Sequence, residues 1–376
     1  MKYYDKKFMS LALRLARRGL GNVFPNPAVG CIIVNNGVIV GRGWTQVGGR
    51  PHAEIVALNN AGCITKGATA YVTLEPCSHY GKTGPCVLNL INAGIKRVVI
   101  ATSDPDMRVA GNGIKLLRYA NVEVECGVMH DEARALNIGF FYSKIKNRPF
   151  ITVKIASTLD GKIALSNGKS KWITNELTRT WVHKQRSMYD AVMVGSNTIV
   201  QDDPMLNTRI PSLESYSPIR VVVDRSGKVS NDHNIIKNAD VIPTYILTNN
   251  VVKTTLGAAN YLIVNAGDNF LVESMKLLVK KVGITRLFVE GGGILITELL
   301  KNNLVDQIIW CRSDKIFGSN AIPAICNLSI VELQCVYNFK RVNTLYFEGD
   351  IVDILECTEN RFVSNENINK NMLAFM

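Results

Sequence analysis

Two stretches decide the reading of this chain: Pro51-His52-Ala53-Glu54, and Thr73-Leu74-Glu75-Pro76-Cys77-Ser78-His79-Tyr80-Gly81-Lys82-Thr83-Gly84-Pro85-Cys86. Histidine and cysteine are good zinc ligands, and a proline stands before each of His52, Cys77 and Cys86. Proline is favoured at the start of a helix, so helices are expected from Pro51 and from about Pro85. The positive end of a helix dipole favours thiolate, which helps sulfur bind metal. Three protein ligands leave a fourth tetrahedral position for water, the mark of a catalytic rather than a structural zinc site. Glu54, two residues past His52, can reach that position without ligating, take a proton from the water and return it to a leaving amine. Read singly, a His-x-Glu is a coincidence on a helix surface and a cysteine pair is core; read together they make a zinc centre. H-x-E followed by P-C-x-x-C is the signature of zinc base deaminases. Here eight residues separate the cysteines instead of two. His79 could supply a fourth ligand, but it is only two residues from Cys77 and is expected instead to line the pocket.

On either side of these segments strand and helix signals alternate. AVGCIIV and GVIVGRGW flank Asn35-Asn36-Gly37, which reads as a hairpin. Strands ATAYVTL, RVVIAT and VEVEC follow, with helices at about 85–93, 113–120 and 131–146. This is a layered α/β pattern. The basic stretch SKIKNRPF (143–150) marks a boundary, giving domains at 1–146 and 150–357 and a frayed, Asn-rich tail at 358–376. The second half has strands at ITVKIAS, DAVMVG, IRVVVD, IPTYILT, RLFVE, DQIIW and LYFEGDIVDILE, and helices at 175–188, 271–282 and 294–301. It lacks the G-x-G-x-x-G fingerprint, but Glu290 is followed by Gly291-Gly292-Gly293 and a helix, so backbone amides can approach an anion there.

The 376 residues suffice for two cores at roughly 150 residues per domain. A hydrophobic content of 47% and a charged content of 20% exclude a mostly disordered chain. No apolar run is long enough to span a membrane. The amphipathic N-terminus lacks the features of a signal peptide, so a cytoplasmic enzyme without membrane contact is expected. Nine scattered cysteines argue against a disulfide framework. The net charge of +12 is not gathered into a tail, which fits a solvated basic surface as well as an anionic partner.

TLEPCSHYGKTGPC, with its long spacer, resembles the deaminase half of the bifunctional riboflavin-biosynthesis deaminase/reductase family. Asn26-Pro27-x-Val29-Gly30 and Val109-x-Gly111-x-Gly113 match as well. Gly84 stands in place of a usual proline, and Asp106-Met107 in place of a usual Asn-Pro. VKIASTLDGKIA (153–164), Ser170-Lys171-Trp172-Ile173-Thr174 and DAVMVGSNTIVQDDPMLNTR (190–209) resemble the family's reductase half. The resemblance covers about residues 1–320. It implies a cytidine-deaminase-like three-layer domain followed by a dihydrofolate-reductase-like domain.

The resemblance implies a phosphorylated diaminopyrimidine substrate, one Zn2+ on His52, Cys77 and Cys86, and NADPH in the second domain. In the first domain Asn26 would read the base, while His79 and Lys82 would hold base and phosphate. In the second, Ala156, Trp172, Thr198, Asp202 and the run Gly292, Gly293, Ile294, Leu295, Ile296, Thr297, Glu298 would contact the cofactor. Ser170, Arg186, Leu206, Arg209 and Glu290 would contact the substrate. Arginine forks suit a phosphate, and a carboxylate at a strand end suits sugar hydroxyls. Arg225, beside Ser226, would take the cofactor's 2′-phosphate, and Lys154 and Asp202 are candidates for handling the proton. The nucleotide carries the hydride chemistry, so the protein need only align it with the sugar carbon. A nucleic-acid base deaminase with an accessory domain is the competing reading, and a zinc-stabilised binding module a third. The spacer and the whole second domain speak against the former, and Glu54 with its open metal position against the latter. No nucleic-acid partner is expected, and there is room for a homo-oligomer.

Overall fold

A computed structural model describes residues 3–81, 84–106, 110–249 and 255–358. Lys82, Met107, Val109 and the tail beyond residue 358 lie outside them. The chain divides into two compact units. One runs to Phe150 and includes Lys276–Arg286; the other takes Ile151–Met275 and the chain from Leu287 onward.

The first unit is built from α1 (Tyr3–Ala16), β1 (Gly30–Asn35), β2 (Val38–Trp44), α2 (Ala53–Ala61), β3 (Thr69–Val72), α3 (Cys86–Asn92), β4 (Arg97–Ile100), α4 (Asn112–Tyr119), β5 (Glu123–Cys126), α5 (His130–Leu136) and α6 (Ile138–Ile145). Its sheet has the order β2-β1-β3-β4-β5. β1 is antiparallel to both neighbours, and β3, β4 and β5 are parallel. The expected hairpin forms, with Asn36 (φ 49°) and Gly37 (φ 78°) both left-handed as a two-residue turn requires. The helix expected over 131–146 is two helices. At Asn137 the buried side-chain amide accepts from Ala28 N and donates to Ala28 O, both at 2.9 Å, and this fixed pair interrupts the helix. The face of α1 carrying Phe8, Met9, Ala12 and Ala16 packs with Ile32, Tyr71 and Val99 of the sheet.

The second unit contains β6 (Phe150–Ser157), β7 (Lys162–Ala164), α7 (Glu176–Arg186), β8 (Ala191–Gly195), α8 (Ser196–Asp202), β9 (Ile219–Val223), α9 (Asn234–Lys237), β10 (Thr244–Thr248), β11 (Asn260–Ile263), α10 (Phe270–Leu277), β12 (Arg286–Val289), α11 (Gly293–Lys301), β13 (Gln307–Arg312), β14 (Ile322–Pro323), β15 (Phe339–Phe347) and β16 (Asp350–Cys357). Nine strands run in the order β11-β10-β9-β8-β12-β6-β13-β16-β15, and β7 pairs with β14 apart from them. β8 to β11 are parallel, whereas β13, β16 and β15 are antiparallel. Ala191–Val194 are buried without alternation, as a parallel strand covered on both faces requires. LYFEGDIVDILE is a hairpin turning at Glu348 (φ 43°) and Gly349 (φ 95°). The short elements α8, α9, β7, β11 and β14 have too few residues to show a period, and sequence reading misses them. Among the described residues no helix is long and apolar enough to cross a membrane.

Candidate active sites

In the first unit, close packing of α2 on β2 sets the position of the histidine and the carboxylate. A Cβ built on Gly43 would stand 2.1 Å from Ala53 O and 2.5 Å from Ala57 N, so only glycine lets the helix lie there. His52 is the extended residue that caps α2, and Glu54 occupies its first turn. Cys77 follows β3 in irregular chain, and Cys86 is the first residue of α3. The backbone N–H of Cys86 donates to Cys77 Sγ at 3.3 Å, and that of Val87 to Cys77 O. The start of α3 therefore serves the Cys77 sulfur as well as carrying Cys86.

The ligand atoms of His52, Cys77 and Cys86 all lie within 4.8 Å of one another. His52 Nδ1 is 3.3 Å from Cys86 Sγ and 3.6 Å from Cys77 Sγ. Tetrahedral zinc, with bonds of about 2.3 Å to sulfur and 2.0–2.1 Å to nitrogen, holds such atoms about 3.6 Å apart. The donor set fits that ion. Hydrogen bonding from Cys86 holds the Cys77 thiol down at about 4, with His52 adding to the effect, while the same hydrogen bond and burial push Cys86 up. The hydrogen bond thus favours the thiolate form at Cys77. Glu54 is buried, and burial raises its carboxyl to about 7, which the His52 charge only partly offsets. A carboxyl poised near neutrality beside a metal-binding cluster suits proton transfer.

Among the described residues His79 Nδ1 is buried without a hydrogen-bond partner, and Asn26 Nδ2 donates weakly to Gly49 O at 3.5 Å. Sequence reading missed Glu75. Its buried carboxylate accepts from the backbone N–H groups of Gly111 and Gly113 at 3.0 Å and of Asp104 and Ile114 at 3.3 Å. It thereby anchors the loop before α4 beside the Pro76-Cys77 segment. The available signal was a carboxylate next to the metal-binding loop, but its partners are distant amides with no side-chain signature.

In the second unit a cavity of about 750 Å³ opens at the carboxyl ends of β6, β8, β9 and β12. Open α/β sheets bind ligands at strand ends of this kind, and a volume of this size takes a nucleotide. Lys154, Ala156, Ser170, Trp172, Thr198, Asp202, Arg225 and Glu290 line it, as do Gly292 to Ile296 and Glu298. Gly292 caps α11, and nothing lies within 4 Å of where its Cβ would be. The amide end of that helix is open to a ligand. Trp172 is 59% exposed, with the Arg179 guanidinium 4.4 Å from its ring centre, so it is a wall residue and not the core aromatic its size allows. Arg225 and Lys228, just past β9, add positive charge to the wall.

Four residues expected at ligands do not line this cavity. Thr297 is buried; its hydroxyl donates to Gly293 O at 2.6 Å and accepts from Cys326 N at 2.7 Å, so it serves the helix. Leu206 is buried with a left-handed backbone (φ 52°). Arg186 Nε donates to Glu290 Oε1 at 2.7 Å, and its Nη1 to Asn207 O. Burial would raise the Glu290 carboxyl, but Arg186 and Lys154 outweigh it and hold it below the ordinary range. Arg209 is exposed and lies against His183.

A family model described as the cytidine and deoxycytidylate deaminase zinc-binding region matches residues 2–102, and one described as the RibD C-terminal domain matches residues 149–350. The riboflavin biosynthesis protein RibD of Aquifex aeolicus is 39% identical over 344 residues, covering 91% of this chain and 96% of that protein. This chain belongs to the RibD family. The Escherichia coli RibD is 38% identical over 87% of this chain and 92% of its own. The Acinetobacter baumannii RibD structure aligns with a TM-score of 0.87 at 34% identity, covering 94% of this chain and 99% of that one. The structure of a Thermotoga maritima diaminohydroxyphosphoribosylaminopyrimidine deaminase/5-amino-6-(5-phosphoribosylamino)uracil reductase aligns at 0.85 and 34% identity, covering 94% and 98%. This RibD-family protein joins a cytidine-deaminase-like domain to a dihydrofolate-reductase-like one. It is a riboflavin-biosynthesis enzyme, a deaminase and a reductase in one chain, with zinc and NADPH as cofactors.

Proposed function

We propose that the first unit hydrolytically deaminates 2,5-diamino-6-(5-phosphoribosylamino)pyrimidin-4-one, and that the second reduces the ribosyl group of the product to ribityl. The observation that carries this reading is the buried Glu54 beside the clustered donors of His52, Cys77 and Cys86. Zinc on these residues supplies Lewis acidity and lowers the pKa of water. Glu54 takes the proton from the attacking water and delivers it to the departing ring amine, which leaves as ammonia. Burial of Glu54 keeps bulk water from competing for that proton. Asn26 and His79 orient the base, and Lys82 the phosphate.

In the second unit the amide end of α11, Trp172, Thr198 and Asp202 hold the dinucleotide, with Arg225 at its 2′-phosphate. NADPH supplies the hydride, which goes to C1′ of the opened ribose. Ser170, Leu206, Glu290 and the two arginines Arg186 and Arg209 orient the phosphosugar, and Lys154 or Asp202 supplies the proton. We place the enzyme in the cytoplasm, acting on this small molecule and not on nucleic acid. Incubation of the pure protein with the diaminopyrimidine should release ammonia without NADPH, and should oxidise NADPH only after deamination. Deamination of RNA or DNA bases in place of the phosphoribosylaminopyrimidine would overturn the substrate assignment.

A further inference from the structure

His183 lies on α7, one turn before Arg186, and neither nitrogen of its ring faces a carboxylate within hydrogen-bond reach among the described residues. Its Nε2 is 3.4 Å from Arg209 Nε and 3.3 Å from Arg209 Nη2. At Nδ1 the neighbours are Arg209 N and Arg186 Nη1, both at 3.4 Å, with the Asn207 carbonyl as the acceptor for a ring N–H. The Nε2 lone pair receives the fork of Arg209 in the tautomer protonated on Nδ1, which then gives up Nδ1 as acceptor for the Arg209 backbone N–H. Burial, and then the two guanidiniums, hold this imidazole down at about 4, so it stays neutral and can go on accepting.

The two arginines differ in their surroundings. Arg186 is nearly buried and its charge is met by Glu290 at 2.7 Å. Arg209 is exposed, with no carboxylate against it among the described residues, and its guanidinium rests on His183. A long arginine side chain at a surface ordinarily loses its geometry to rotamer freedom, and a bidentate phosphate contact needs that geometry. An acceptor that grips Nε and one Nη leaves the other end of the fork to an anion and fixes its direction.

We propose that His183 is a positioning residue that orients Arg209 toward the phosphate monoester of the reductase substrate. The proposal rests on the reading of Arg209 as a substrate contact. His183 does not touch the reacting carbon; it acts through Arg209.

The test is reductase kinetics on the full-length enzyme with the deaminated phosphoribosylamino substrate, and with inorganic phosphate as competing anion. His183→Ala should raise KM about tenfold with kcat within roughly twofold, and should weaken phosphate inhibition to a similar degree. His183→Gln, whose amide oxygen reaches to where Nε2 stands, should recover most of the loss. Because the effect passes through Arg209, His183→Ala added to Arg209→Ala should change KM no further. A KM raised by Arg209→Ala but unmoved by His183→Ala overturns the proposal and leaves the substrate reading standing. So does additivity of the two variants, or a His183→Ala loss confined to kcat. A KM unmoved by Arg209→Ala overturns the substrate reading itself.

Discussion

Gly43 of β2 and Ala53 of α2 are in contact so close that a Cβ on the glycine would stand 2.1 Å from the Ala53 carbonyl oxygen. Ala53 lies between His52 and Glu54, so this contact sets the position of one metal ligand and of the proton-transfer group. Gly43→Ala should push α2 outward, costing about 1–3 kcal/mol of overpacking. Bound zinc and ammonia release should fall together, while NADPH oxidation with supplied intermediate survives. Metal analysis and a thermal melt of the variant check this.

Cys86 is buried at the head of α3, and its sulfur lies 3.3 Å from His52 Nδ1. Cys86→Ala leaves two of three protein donors, too few for tight zinc binding. Zinc per chain should drop well below one, measured by metal analysis after dialysis. Full occupancy would remove Cys86 from the ligand set.

Much of the first site is legible in sequence because its chemistry sits in two short segments with proline before each ligand. The roles of Glu75 and Asn137 were not, since a carboxylate that anchors a loop through backbone amides, and an amide that breaks a helix by pairing with Ala28, have partners that carry no side-chain signal. In the second unit the glycines before α11 mark the cavity. Sequence gives Arg186 and Glu290 as separate substrate contacts, and only the fold brings them to 2.7 Å across 104 positions. Thr297 sits within a run that lines the cavity, yet helical rotation turns it inward.

The Arg186–Glu290 pair yields a pH prediction. Folding lowers the Glu290 pKa, so its contribution to stability is present above the ordinary glutamate value of about 4.3 and is lost as pH falls through the folded value. Glu290→Ala strands a nearly buried guanidinium and should cost about 3–5 kcal/mol at neutral pH. That cost should shrink as pH falls below about 4. Urea midpoints of both proteins at pH 7 and pH 3.5 measure it. A cost that stays constant across this range would mean that the pair does not titrate as described.

Arg220 in β9 is fully buried and donates to Asn238 O at 2.8 Å and Ile242 O at 2.7 Å, satisfying carbonyls just past α9. Burial lowers its pKa to about 10, still charged at neutral pH. Arg220→Met keeps much of the bulk but removes these bonds and the one to Asn238 Oδ1, leaving Asn238 O with Ile242 N and Ile242 O with Thr244 Oγ1, and should cost about 1–3 kcal/mol. The loss should appear as a lower urea midpoint for the reductase, with bound zinc unchanged.

We propose two chemistries at two separate sites, with Glu54 moving the proton in the first. Glu54→Gln removes that base and no metal ligand, so ammonia release and NADPH oxidation assayed separately on this variant distinguish the two sites. This arrangement predicts full zinc content, ammonia release reduced at least about a hundredfold, and NADPH oxidation with supplied intermediate at the parent rate. Ammonia release at the parent rate, or loss of both reactions in a folded, zinc-loaded protein, would contradict it.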